Sequence, residues 1–170
     1  LIFSNEFSCR NKQNPSDFIR TRLFPFHDLI FFLLNMNNNS YQDELDRYFQ
    51  VVHHKEVPER ILYKGNLSKV RAKLKHEAFI ELNDHMTRFF YESFNPQTWF
   101  GFNLLAVDGT TLHLPDEPPI SEHFGVWKST KGETPCPKAR ASQMFDVLNK
   151  ITVDAIISPK SQGERELAAF

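Results

Sequence analysis

Hydrophobic positions fall at helical spacing through the first half of the chain and change character after Trp99. Residues 1–14 are polar and irregular in pattern and read as a lead-in. Asn14-Pro15-Ser16-Asp17 is a helix-start signal, because Ser16 or Asp17 can accept hydrogen bonds from free N–H groups of a first turn. Phe18, Ile19, Leu23 and Phe26 then suggest a short helix perturbed near Pro25. A strongly apolar helix follows from His27 to Met36 and is broken by Asn37-Asn38-Asn39-Ser40. Ser40 can cap the next helix, Tyr41 to Val52, whose Leu45, Tyr48, Phe49 and Val52 share a face. A turn is expected at Lys64-Gly65-Asn66. Ser68 then caps a long helix running to about Ser93, with Val70, Leu74, Phe79, Leu82, Met86, Phe89 and Phe90 on its apolar side, and Asn95-Pro96-Gln97 ends it.

Beyond Trp99 the alternation is that of strands. Phe102–Asp108 and Thr110–Leu114 form one long strand with scope for a kink at Gly109. Residues 115–138 make a long proline-rich loop of the kind usually reserved for function. Residues 139–149 and 152–158 are two further strands joined by a tight turn at Asn149-Lys150. Gly163 to Phe170 reads as the first turns of a helix. The expected organisation is α+β: a lead-in over 1–14, a helical domain over 15–97 and a sheet-forming domain over 98–170.

Composition adds little to this pattern except a core. The 170 residues are 41% apolar with 17 Phe, so a core is expected and wholesale disorder is not, and a net charge of −1 names no partner. Cys9 and Cys136 are far apart and outside any zinc-binding spacing, which favours a reducing, cytoplasmic setting. The longest apolar run, Leu29 to Leu34, is too short to span a bilayer, so no membrane partner is expected. The chain begins at Leu1 and stops at Phe170 in mid-pattern, as an excerpt of a longer protein would.

Two places carry candidate chemistry. Asp108 ends an apolar run and precedes Gly109. A carboxylate on a buried strand is costly unless paired or metal-bound. Spacing alone leaves it balanced between a ligand for Mg²⁺, which prefers oxygen donors, and a residue of a D-G turn. Asp146 and Asp154 alternate with apolar residues and read as outward-facing. The second place is the run Ser68, Lys69, Arg71, Lys73 and Lys75. It lies within a stretch from Arg60 to Lys75 that holds six cations and no carboxylate. Cations on the first turns of a helix suit phosphate contact, as in a helix-turn-helix, but an ordinary solvated helix carries the same pattern. His27, His53, His54, His76, His85, His113 and His123 have no metal-binding spacing. No G-x-S-x-G, P-loop or GxGxxG occurs, which removes support for serine-hydrolase and nucleotide-binding readings. Phe89, Phe90, Tyr91, Phe94, Trp99, Phe100 and Phe102 are expected to form an inter-domain core.

The stretch Leu105-Ala106-Val107-Asp108-Gly109-Thr110-Thr111-Leu112-His113-Leu114-Pro115 resembles the first catalytic strand of DDE-type transposases of the insertion-sequence-four group. The segments Leu67–Leu74, Ala139–Asn149, Gly163-Glu164-Arg165-Glu166 and the dipeptide Phe124-Gly125 fall in the order that family shows. The resemblance implies a helical DNA-binding domain followed by the start of a ribonuclease-H-like mixed sheet, with three antiparallel strands and its first helix. It implies transposase activity on double-stranded DNA, at element ends and target, with a homodimer as one arrangement in the DNA complex. Asp108 would be the first catalytic, metal-binding carboxylate of a two-Mg²⁺ site, and the second Asp and the Glu would lie beyond Phe170. Asp146 matches a different family position. Ser68, Lys69, Arg71, Lys73 and Lys75 would contact DNA. The competing reading is a non-enzymatic DNA-binding regulator or a domesticated transposase remnant, in which Asp108 is dispensable.

Overall fold

The computed structural model describes residues 1–19, 24–36, 39–128 and 134–163, and the chain divides into two compact units, Leu1–Leu82 and Asn83–Phe170. The fold is α+β with the helices leading. The sequence pattern places the domain change at residue 97. The observed division falls earlier, inside a helix.

The first unit is built around a helix that is apolar over most of its surface. Its elements are α1 (Asn5–Asn11), α2 (Phe26–Leu34), α3 (Tyr41–Val52), α4 (Lys64–Arg71) and the start of α5 (Glu77–Ser93). One side of α2 places Leu29 and Phe32 in a buried cluster with Phe24, Leu45, Phe49, Leu62 and Leu67. The other side places Phe26 and Ile30 with Phe7 and Ala78. A helix that meets neighbours on two sides needs apolar residues on both, which is what its sequence shows. Tilted and edge-on ring pairs join Phe24 to Phe32, Tyr48 and Phe49 at 5.5–6.0 Å. Ser40 caps α3 as expected, accepting from the N–H of Asp43 at 3.3 Å.

Several local expectations fail here, for tertiary reasons. The lead-in contains α1, capped by Ser4 and anchored by the fully buried Phe7. Asn14 to Asp17 forms a turn rather than a helix start: Asp17 N–H donates to Asn14 O, and Asp17 Oδ2 accepts from Asn14 N–H. Phe18 then takes a positive φ of 59°. Most of the helix expected beyond it, and the breaker at Asn37-Asn38, lie outside the described residues. The long helix expected from Ser68 to Ser93 is two helices. The turn foreseen at Lys64-Gly65-Asn66 is the first turn of α4, whose start is held by Gln42 of α3. Gln42 Oε1 accepts from Lys64 N–H at 3.0 Å and Gln42 Nε2 donates to Leu62 O at 2.9 Å. Residues 72–76 have adequate helix propensity but leave the helix because the lead-in claims their backbone. Gln13 N–H donates to Lys73 O at 2.8 Å, and Lys75 N–H donates to Asn11 O at 2.9 Å. Tertiary pairing overrides propensity at that point.

The second unit holds the remainder of α5, then β1 (Leu105–His113), α6 (Pro118–Phe124), β2 (Val126–Trp127), β3 (Cys136–Asp146) and β4 (Ile151–Pro159). β3 is central and pairs antiparallel with β1 and β4, and its first residues also pair with β2. The three long strands and the tight turn between β3 and β4 agree with the sequence pattern. No register shift occurs at Gly109; the irregularity lies between Met144 and Phe145. The proline-rich segment contains α6 and β2, with Gly125 at φ 75° closing α6. The helix expected after Gly163 lies outside the described residues. Among the described residues, β1 pairs on one edge only, and no helix is long and apolar enough to cross a membrane.

Candidate functional site

Asp108 sits in the middle of β1, opposite Gln143, with Gly109 continuing the strand opposite Ser142. A D-G turn is therefore ruled out: these residues belong to an unbroken ladder. The premise of a buried carboxylate also fails. Among the described residues β1 pairs along one edge, and Asp108 is exposed, as are the other residues of β1 apart from half-buried Gly109. Desolvation consequently gives no reason for Asp108 to be paired.

Strand alternation decides what can share a site with Asp108. Ala106, Asp108 and Thr110 lie on one face with Phe145, Gln143 and Ala141 of β3 and with Ala155 and Ile157 of β4, by their register. A groove of about 600 Å³ lies over this face, lined by small and apolar side chains around Asp108. Gly109 N–H donates to Asp108 Oδ1 at 2.8 Å. The same bond joins Ala155 N–H to Asp154 Oδ1, so it is ordinary strand geometry. Asp154 pairs with Met144 and therefore belongs to the opposite face. Among the described residues no group of three or more His, Cys, Asp or Glu converges on a metal-sized site. Asp108 offers hard oxygen donors that fit Mg²⁺, as one ligand of a set.

Asp146 is a correction to the outward-facing expectation. It is fully buried, where it accepts from Tyr91 Oη at 2.5 Å, Leu148 N–H at 3.1 Å, Asn149 N–H at 3.0 Å and Asn149 Nδ2 at 2.8 Å. Burial alone would raise its pKa. The hydrogen bonds from Tyr91, Asn149 and Leu148 together outweigh burial and hold it below the ordinary carboxylate value. Tyr91 is pushed up to about 12, by burial first and then by its bond to Asp146. All the acceptor capacity of Asp146 is spent on structure. Elsewhere His113 Nδ1 lies 3.5 Å from the Cys136 thiol across the start of β3.

The basic residues occupy the end of a helix, not its beginning. Lys69 and Arg71 are in the last turn of α4, where cations complement the helix dipole. Ser68 is inside the helix, its hydroxyl donating to Lys64 O at 3.4 Å, and caps nothing. Arg71 lies over the Tyr41 ring at 5.8 Å. Lys73 and Lys75 are in the following linker; Lys73 pairs with Asp17 at 3.6 Å and Lys75 donates to Arg10 O at 3.0 Å. The five residues stay close in the chain and are mostly exposed, but they do not form a recognition-helix N-terminus.

Of the aromatics expected to form a core near residue 100, Phe90 and Tyr91 are half-buried and Phe90 stacks on Phe94 at 5.7 Å, whereas Phe89, Phe94, Trp99, Phe100 and Phe102 are exposed. The sequence signal for the exposed turn here is Gly101, which takes a φ of 85° that glycine accepts freely.

No protein-family model matches the chain, and no solved structure matches it. A stretch of 78 residues, 45% of the chain, is 31% identical to the protein named "Putative transposase InsZ" of Escherichia coli (strain K12), of which it covers 26%. The chain is thus similar in part to a transposase-named protein and spans about a quarter of its length.

Proposed function

We propose that the chain is the N-terminal part of a DDE-type DNA transposase of the insertion-sequence-four group. Its sheet would begin a ribonuclease-H-like catalytic domain. The partial identity to a transposase-named protein carries this reading. An exposed carboxylate projecting into an open groove from the middle of a strand supports it. In this reading Asp108 is the first of three metal-binding carboxylates, and the other two belong to residues of the complete protein beyond Phe170. Mg²⁺ held there would neutralise charge on a phosphodiester and lower the pKa of an attacking water or 3′-hydroxyl. The chain's own share is to fix the carboxylate. β1 sets its height, the ladder to β3 sets its face, and Gly109 N–H sets its rotamer.

Ser68, Lys69, Arg71, Lys73 and Lys75 form the proposed contact with double-stranded DNA. Their place at a helix end and in a linker suits phosphate contact rather than base reading, since cations there supply charge without a helix entering a groove. The test is a titration of the chain against a mixed-sequence duplex at increasing salt, with Lys69, Arg71, Lys73 and Lys75 replaced together by Gln. The expected result is a shallower slope of log K against log[salt], by about 0.9 for each phosphate that is no longer neutralised. Equal affinities and equal slopes would return this patch to ordinary surface.

A further inference from the structure

Residues 99–102 form the tightest hairpin among the described residues, and its three side chains are all aromatic. Trp99 N–H donates to Phe102 O at 2.8 Å and Phe102 N–H donates to Trp99 O at 2.9 Å. The two central residues have φ of 50° at Phe100 and 85° at Gly101, as a two-residue turn of the primed type requires. Glycine accepts that conformation freely, whereas a bulky residue such as Phe does so only under strain. Phe18, His54 and Lys150 also take positive φ, at 59°, 52° and 58°, but of the four only Phe100 carries an exposed apolar ring. Phe100 is 84% exposed, Phe102 71% and Trp99 58%.

The hairpin is firmly mounted. On its incoming side, Gln97 N–H donates to Asn149 Oδ1 at 2.8 Å and Asn149 Nδ2 donates to Gln97 O at 3.0 Å. On its outgoing side, Val147 N–H donates to Leu104 O at 3.0 Å. Asn149 is itself held by the buried Asp146, which Tyr91 of α5 also grips. The chain of bonds from Tyr91 through Asp146 and Asn149 to Gln97 thus spends a buried carboxylate on fixing the base of an exposed aromatic finger.

Resting on the DNA-processing reading above, we propose that this finger is a wedge that stacks on unpaired or unstacked bases next to the Asp108 groove. No carboxylate occurs between Glu92 and Asp108, and exposed Lys150 follows Asn149 at the root. The outgoing strand of the finger runs directly into β1. Asp108 lies six residue steps after Phe102, at most about 20 Å of extended chain, which is about six nucleotide steps of one strand. A stiff aromatic tip at that range can open base steps near a phosphodiester presented to Asp108, as apolar wedges do in bent duplexes.

The test uses the full chain, a mixed-sequence duplex, and the same duplex ending in an unpaired fork. Phe100→Gly is the informative variant: it relieves the positive-φ strain while removing the ring. Wild type is expected to prefer the fork by about fivefold or more, the worth of one base–aromatic stack. Phe100→Gly should lose that preference with Tm unchanged or raised. With Trp127→Phe as background, Trp99 emission should be quenched by the fork and not by the duplex. Salt-dependent duplex binding without fork preference would overturn the wedge and leave the DNA reading standing. No salt-dependent binding to either DNA would remove both. A dimer in sedimentation that Phe100→Gly dissociates, with fork preference unaltered, would make the finger a protein contact and overturn the wedge.

Discussion

At the scale of single residues, Asp108 and Asp146 exchange the environments their sequence suggested. Both follow apolar residues on strands, and period-2 alternation alone cannot say which strand is central. Asp108 lies on β1, paired along one edge and exposed; Asp146 ends the central β3 and is sealed by Tyr91 and the turn that follows. Burial makes Asp146 the sensitive residue for stability. Its folded-state pKa is depressed, so the stability it contributes is present above its unfolded value, near about pH 4. That stability is lost as the pH falls through the lower folded value. Asp146→Asn should cost about 1.5–3 kcal/mol at neutral pH, the range for hydrogen bonds to a charged group. It should also flatten the decline on the acid side. Urea unfolding of both proteins from neutral pH to pH 2 measures this, and parallel pH profiles would show that Asp146 carries no such linkage.

At the scale of elements, α2, α3 and the three long strands were legible because their own side chains determine them. The apolar run of α2, the Ser40 cap of α3 and the alternation of β1, β3 and β4 need no distant partner to be recognised. The interval from Tyr63 to His76 was not legible. Its boundaries come from Gln42, twenty-two residues upstream of Lys64, and from Asn11 and Gln13, whose backbone draws residues 73–75 out of helix. A cap read locally at Ser68 and a cap supplied by Gln42 make opposite predictions. Gln42→Ala should destabilise the chain by about 1–2 kcal/mol, since it strands Lys64 N–H and Leu62 O. Ser68→Ala should stay within about 0.5 kcal/mol, as exposed positions without special roles do. Equal losses in chemical denaturation would restore Ser68 as the helix start.

At the scale of the whole chain, the α+β order was readable from the change of periodicity near Trp99. The two compact units meet within α5, whose pattern runs uninterrupted from Glu77 to Ser93. The sequence singled out one residue and one basic segment as the candidate site, and could give neither its surroundings. Register now assigns Asp108 a face, a groove and its neighbours, and it separates Asp154 from them. What the groove does rests on the proposal that Asp108 is a metal ligand for phosphoryl transfer in the complete protein. Nicking of a supercoiled plasmid that carries the DNA flanking the gene, with and without Mg²⁺, tests it most directly. The complete protein should nick only with the metal, and this chain alone should leave the plasmid supercoiled. Asp108→Asn in the complete protein should reduce nicking to background while duplex affinity holds. Nicking by Asp108→Asn at the wild-type rate, or Mg²⁺-dependent nicking by this chain alone, would contradict the account.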